Sequence, residues 1–339
     1  MRRLAKVGLH GALCTALGGA DVSIPGQQRL SKHVYRLRLA IDGRVRGVVV
    51  KRLTPRAAEC NELVGRRWLP AVRLERHAPP LLGVAADQRG RGVWHVYEDL
   101  GDGVLDTVNP ELENVRAVVE AVACIHVRFA DHPLLADCRA HGTDLGVPFY
   151  GQNVHDALRI LDVMRPPAVD LQPHQSATRE RLLRHLTALL LELRVRSRAM
   201  VELGGPETLL HGDLWPTNTL VVEAPRGPRV CLIDWDRAGV GPACYDLSAF
   251  LLRFPAHHRP AIMEMYRAAV GRLGWRLPPD EALNDLFDTA EQARYASSVI
   301  WPALAVIEDG ASWGLDALAA VAEWFDALQP VLPVQEGQA

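Results

Sequence analysis

Lysine is nearly missing from this chain of 339 residues: of 38 basic residues only three, Lys6, Lys32 and Lys51, are lysines. Arginine therefore supplies the generic surface charge, and each lysine invites a specific reason. Cysteine is sparse and scattered (Cys14, Cys60, Cys124, Cys138, Cys231, Cys244) with no Cys-x-x-Cys pair. That argues against a zinc ribbon or disulfide scaffold and fits a reducing cytoplasm. Blocks of like charge are missing too, and the formal net charge is −2, so no nucleic acid or other polyanion is implied as a partner. No hydrophobic run is long and charge-free enough to span a membrane. Internal repeats and low-complexity tracts do not stand out, and only the tail "VQEGQA" reads as disordered. What remains is ordinary globular composition, 48% hydrophobic and 23% charged, with room for two core-bearing lobes.

The first residues, "MRRLAKVGLHGALCTALGGAD", have a basic head and a weakly apolar middle. His10 and several glycines dilute that run, so an amphipathic N-terminal helix is expected rather than a cleaved signal. Residues 27–53 then read as strand, turn and strand: "RLSKHVYRLRLAID" alternates, Gly43 lies in the turn, and "GVVVKRL" returns. Thr54 and Pro55 form a cap and first-turn proline, so a helix follows, carrying Glu62. "PPLLGVAAD" and "GVWHVYEDL" give a second pair of strands around "DQRGRG". The glycine-rich "EDLGDG" then reads as a linker. Beyond it the apolar period becomes helical, as in "ELENVRAVVEAVACIHVRFADH" and "SATRERLLRHLTALLLELRVRSRAMVEL".

One stretch breaks that helical pattern. "LLHGDLWPTNTLVVEAPRGPRVCLIDWDRAG" sets Asp213, Asn218, Asp234 and Asp236 beside two apolar runs that read as paired strands. Two carboxylates and an amide oxygen are hard ligands of the kind magnesium takes while keeping waters and substrate phosphates. The paired strands would bring Asn218 and Asp234 together on a metal, leaving Asp213 to face a substrate hydroxyl. The spacing is that of a kinase, in which a loop Asp orients the nucleophile and an Asn five residues on and a later Asp hold metal. Lys51, at the end of a β-branched strand, has two readings. It snorkels to solvent, or it points a compact ammonium into a cleft at a phosphate. His211 with Asp213 also admits the His/Asp metal site of a hydrolase, but further ligands at regular spacing are not evident.

With these residues in view, "HGDLWPTN" and "IDWDRAGVGPACYDLSAFL" resemble the aminoglycoside phosphotransferase and choline kinase-like superfamily, relatives of the protein kinases. The resemblance covers about residues 10–325. It implies an α+β, protein-kinase-like fold: a small β-rich N-lobe over 1–98 that binds nucleotide, a hinge at 99–103, and a larger, mainly helical C-lobe over 104–339 with the catalytic loop and acceptor site. It implies Asp213 as catalytic base, Asn218 and Asp234 as ligands of Mg2+, and Lys51 on the α/β-phosphates of ATP or GTP, paired to Glu62. It further implies the backbone of Glu98 and Leu100 against the purine, His126 as packing, and Asp246 as a brace for the catalytic loop, with His211 beside it. Asp236 is either an auxiliary metal-side acid or a loop-bracing acceptor. The phosphate-covering segment "QQRLSKHVYRL" lacks the glycines many relatives carry, so Ser31 and nearby amides would serve, helped by Arg29, Lys32 and His33.

The activity implied is transfer of a γ-phosphate to a hydroxyl of a small molecule in the cytoplasm. Glu281, Asp285 and Asp288 at helical spacing, with Glu291, Glu308 and Asp309 beyond, would form either an acidic face for a polycationic aminoglycoside or a solvated helix surface. Phe149 and Tyr150 are candidates to shape an acceptor pocket, and Tyr295, Trp301 and Trp313 for an aromatic cage around a choline-type cation. Arginine and alanine richness fits a GC-rich, antibiotic-producing genome and leans the expectation toward antibiotic phosphorylation. A metabolite kinase for choline, homoserine or a sugar alcohol is the alternative, and a silent nucleotide-binding module is a third. No heptad seam predicts a dimer.

Overall fold

A computed structural model describes residues 10–17, 22–41, 44–87, 90–225 and 227–333. Residues 10–16 are helical; the rest of the expected N-terminal helix, and the turn at Gly43, lie outside the described residues. Three strands, not two, precede the capped helix: β1 (Val22–Arg29), β2 (Val34–Ile41) and β3 (Arg44–Leu53). β1 escapes a reading by alternation because Pro25 and Gly26 interrupt it. Its register against β2 breaks between Ser23 and Gly26, and a proline is tolerated there because β1 is an edge strand. With β4 (Leu81–Ala86) and β5 (Val93–Glu98), the strands form one antiparallel sheet in the order β1-β2-β3-β5-β4.

Strand parity gives the sheet two unlike faces. Leu37, Leu39, Val48, Val50 and Val96 share one side, where Leu13 of the 10–16 helix packs on them. A Cβ at Gly83 would collide with the carbonyl of Ala16, so glycine is what lets that helix lie on β4. The other face carries Arg36, Val49, Lys51, His95 and Tyr97, the register pairing Arg36 with Val49, Lys51 with His95 and Val49 with Tyr97.

The chain forms two compact units. The first comprises the sheet and residues up to 129, together with 133–143 and 211–238. It includes α1 (Pro55–Leu63), capped by Thr54, whose side chain accepts from the Ala57 amide, and continued as a π-helical turn over Val64–Trp68. It also includes the helix Leu112–Phe129, carrying the buried His126, and a hairpin of β6 (Thr219–Val222) and β7 (Arg229–Leu232). The second unit is mainly helical. Its longest helices are Pro173–Leu203 and Asp280–Asp309, and the short strands Thr208–Leu210 and Gly239–Gly241 pair antiparallel. Tyr150, Phe250, Phe254 and Phe287 fill its core. No helix among the described residues is long and apolar enough to cross a membrane.

Candidate active site

The polar stretch forms a strand-loop-strand whose register positions its acids. Thr219 pairs with Leu232, and one step further the Ile233 amide donates to the Asn218 carbonyl at 2.9 Å, so Asn218 lies opposite Ile233, the residue before Asp234. The Asn218 amide nitrogen donates to the Asp213 carbonyl at 2.9 Å, which fixes the flip of the side chain and leaves its oxygen as the outward atom. His211, buried against Trp235 with ring centroids 4.5 Å apart, donates from Nε2 to the Ile233 carbonyl at 2.9 Å. The loop is thus tied to the strand end just before Asp234. Asp234 itself adopts φ 66° and ψ 53°, a left-handed conformation uncommon for a non-glycine residue. The carboxylate of Asp213 is half-buried and has no hydrogen-bond partner among the described residues.

Lys51 reaches this hairpin from β3. Its ammonium lies 2.5 Å from Asp234 Oδ1 and 2.8 Å from Asp236 Oδ1. Burial works against the charge on Asp234, but Lys51, by its charge and its hydrogen bond, outweighs it and holds that carboxyl below the usual range. For Asp236 burial dominates and, with Asp234 beside it, pushes the carboxyl upward against the pull of Lys51. With both carboxylates ionised, one ammonium would not neutralise the pair, and a divalent cation would offset the remaining charge.

The expected pairing of Lys51 with Glu62 is not formed. The inward face of α1 carries Ala58 and Asn61 and continues to Val64, all buried. Glu62 is about 100° round the helix from Asn61 and makes an i,i+4 pair with Arg66 at 36% side-chain exposure. Asn61 is the residue that turns inward, donating to Asp236 Oδ1 and to the Ala57 carbonyl, both at 2.8 Å. It escaped the sequence reading because the neighbouring acid drew the attention. Its place on the apolar face with Ala58 and Val64 was the available signal.

Beside Lys51 lies a cavity of about 220 Å³ with mostly apolar walls. Val34 and Val49 come from the sheet, Leu220 and Ile233 from the hairpin, Tyr97 and residues 98–102 from the end of β5, and Lys51 and Asp234 sit at its polar side. Glu98 and Leu100 both line it, and the Leu100 N–H has no hydrogen-bond partner among the described residues. Ser31 sits exposed in the β1–β2 turn; its neighbours Leu30 and Val34, not Ser31, line the cavity. Tyr97 lines the cavity, and its hydroxyl meets the buried His95 Nδ1 at 2.8 Å. At the mouth Arg36 bonds Asp99 at 3.1 Å, the Gly101 carbonyl at 3.0 Å and Asp102 at 2.7 Å.

The remaining candidates lie in the second unit. Asp246 is buried in the first turn of the helix Cys244–Leu251. Four of the acids expected to share an acceptor face do not converge. Glu291 is buried, bonded to Arg294 and accepting from Ser248 at 2.7 Å. Asp288 is held by Arg196 at 2.6 Å, and Asp285 is exposed. Glu308 lies twenty residues past Asp288, about 30 Å along the helix. Tyr150 is fully buried with its hydroxyl on the Leu189 carbonyl, and Phe149 packs edge-on against Tyr245. Tyr295 meets Trp324 and Phe325, while Trp301 and Trp313 stand exposed, so these rings do not make the expected cage. Among the described residues no group of three or more His, Cys, Asp or Glu is arranged to hold a metal ion.

The profile of the phosphotransferase enzyme family, APH, matches residues 34–282, and this chain belongs to that family. Its fold is accordingly protein-kinase-like, with an antiparallel sheet toward the N-terminus and helices toward the C-terminus. Among solved structures it is similar to a spectinomycin phosphotransferase crystallised with ADP and spectinomycin, at 12% identity and a TM-score of 0.56, covering 96% of this chain and 98% of that one. It is also similar to the aminoglycoside phosphotransferase APH(3'')-Id of Streptomyces rimosus, in complex with ADP and streptomycin, at 15% identity and a TM-score of 0.55, covering 86% and 98%. An ethanolamine kinase of Plasmodium vivax gives 12% identity and a TM-score of 0.55, covering 87% and 81%. No curated protein sequence matches the chain.

Proposed function

We propose that this phosphotransferase moves the γ-phosphate of ATP or GTP to a hydroxyl of a small molecule, an antibiotic of the aminoglycoside, aminocyclitol or nucleoside type, in the cytoplasm. The observation that carries the reading is one apolar slot with an unpaired backbone N–H on one wall and Lys51 and Asp234 at its polar side. A purine needs a flat apolar slot and a main-chain donor, and its phosphates need a point cation. In this reading residues 1–98 bind the nucleotide, 99–103 form the hinge, and 104–339 hold the catalytic loop and acceptor site. The backbone of Glu98 and Leu100 receives the base.

The donor set fits magnesium: the outward amide oxygen of Asn218 and the carboxylate of Asp234 are hard oxygens. When bound, magnesium supplies charge neutralisation across the phosphates. Lys51 adds a fixed cation without reorganisation during transfer. The half-buried Asp213 carboxylate, free of hydrogen bonds among the described residues, orients the acceptor hydroxyl and takes its proton as the new P–O bond forms and the bond from the γ-phosphorus to the departing nucleoside diphosphate breaks. His211, bonded to the Ile233 carbonyl, holds the loop in place.

Fold relatives whose names are antibiotic phosphotransferases favour an antibiotic acceptor, and the likeness to an ethanolamine kinase keeps a metabolite alcohol as the second reading. The test is a mass-spectrometric screen of purified protein with ATP or GTP and magnesium against a mixed panel of antibiotics and metabolite alcohols. A gain of one phosphate on an antibiotic is expected. Phosphate on choline, homoserine or a sugar alcohol would move the role to metabolism. Nucleotide bound without any turnover across the panel would argue for a silent module.

A further inference from the structure

We propose that Asp236, held by Asn61, is the residue that positions Lys51 for the nucleotide, in place of an acid on the helix after β3. The inference rests on the nucleotide reading above and concerns how that site is built. Lys51 Nζ is shared between Asp234 at 2.5 Å and Asp236 at 2.8 Å. The two carboxylates have different obligations. Asp234 would also hold the metal in the proposed site, so its carboxylate would be shared between that ion and Lys51. Asp236 has no such second task. Its Oδ1 already takes two donors, Lys51 and the amide of Asn61, each at 2.8 Å.

The support behind Asp236 is rigid. Asn61 uses its other amide proton on the Ala57 carbonyl at 2.8 Å and is buried. Asp236 rides on the turn Trp235–Arg237, anchored by the buried Trp235, whose indole donates to the Leu232 carbonyl at 2.8 Å. A neutral amide at position 61 suits the charge balance. A carboxylate there would set a third acid around one ammonium, with like charges in hydrogen-bond range. Glu62 is turned away and bonded to Arg66. Lys51 is therefore fixed from the hairpin, and the helix contributes only the neutral tether.

The test measures affinity for ADP and for a non-hydrolysable ATP analogue by calorimetry, with and without magnesium, beside the melting temperature. Asp236→Asn is expected to weaken binding about tenfold, as Lys51→Ala does, and the double variant Lys51→Ala/Asp236→Asn to bind no worse than Lys51→Ala alone. Glu62→Gln is expected to stay within twofold of wild type. The exchange Asn61→Asp/Asp236→Asn keeps an amide–carboxylate pair but moves the charge off the hairpin. It should regain melting temperature without regaining affinity, and it carries the test should Asp236→Asn alone fold poorly. Wild-type affinity in Asp236→Asn, or independent, multiplying losses in the double variant, would overturn the proposal. A loss in Glu62→Gln without one in Asp236→Asn would return the role to the helix. If wild type binds no nucleotide, or Lys51→Ala binds as tightly as wild type, the underlying reading of the site fails and the proposal with it.

Discussion

Gly212 has φ 78°, and a Cβ there would collide with the carbonyl oxygen of Arg237. The residue before the proposed base is thus a glycine for two reasons, a left-handed backbone and a close approach to the turn that carries Asp236. Gly212→Ala is expected to cost more than about 2 kcal/mol and to displace Asp213 with it. A lowered melting temperature together with a collapse of turnover would bear this out. Single residues were also where sequence reasoning was strongest and weakest. Asp213, Asn218 and Asp234 stood out because one continuous strand-loop-strand carries them and few other arrangements use those groups at that spacing. Glu62 was misplaced because a helix repeats every 3.6 residues, so a one-position error turns a side chain by about 100°. The acceptor candidates rested on acids placed along C-terminal helices, and such a placement does not reveal that Arg294 and Arg196 already occupy Glu291 and Asp288.

β2 and the segment after β5 are joined at the cavity mouth by one arginine. Arg36 reaches Asp99, Gly101 and Asp102, more than sixty residues away in the chain, and no local pattern announces such a contact. Its ion pair with Asp102 is largely exposed, so the effect on stability should be small, within about 1 kcal/mol. The effect on the cavity should be larger, because the strand and the cavity-lining segment 98–102 are held in one geometry. Arg36→Ala is expected to weaken nucleotide binding three- to tenfold with little change in melting temperature. Arg36→Lys should not restore it, since an ammonium lacks the guanidinium fork that serves three acceptors. Unchanged affinity in Arg36→Ala would show the mouth does not depend on the clasp. Most strands themselves were readable from alternation and turn residues. β1 was not, because an edge strand tolerates the proline and glycine that ordinarily mark a loop.

Two buried histidines link the stability of the whole chain to pH. Burial lowers His77 to about 4, with Arg76, Arg229 and Arg128 adding to the effect against the bond from its Nδ1 to the Val230 carbonyl. Burial likewise lowers His95 to about 4, with Arg66 and Lys51 adding. Both folded values lie below the unfolded value of about 6.5, so the unfolded chain takes up these protons first. Stability is therefore complete above about pH 6.5, falls as the pH drops from there to about 4, and levels off below, each ring accounting for at most about 3 kcal/mol. Melting temperature followed from pH 8 to 4 should show this decline. The variant His77→Gln/His95→Gln should start lower and be flatter between 6.5 and 4, and an equally steep profile would place the dependence elsewhere. Neither histidine was singled out from the sequence, since burial of a lone ring depends on what the fold stacks around it.

The central claim is phosphoryl transfer with Asp213 as the base, and its most direct test is the turnover of Asp213→Asn beside wild type. The acceptor from the screen would be used with nucleotide and magnesium, and nucleotide affinity measured in the same preparations. The account predicts at least a hundredfold loss of turnover with nucleotide affinity within a fewfold of wild type. Turnover within tenfold of wild type would contradict it.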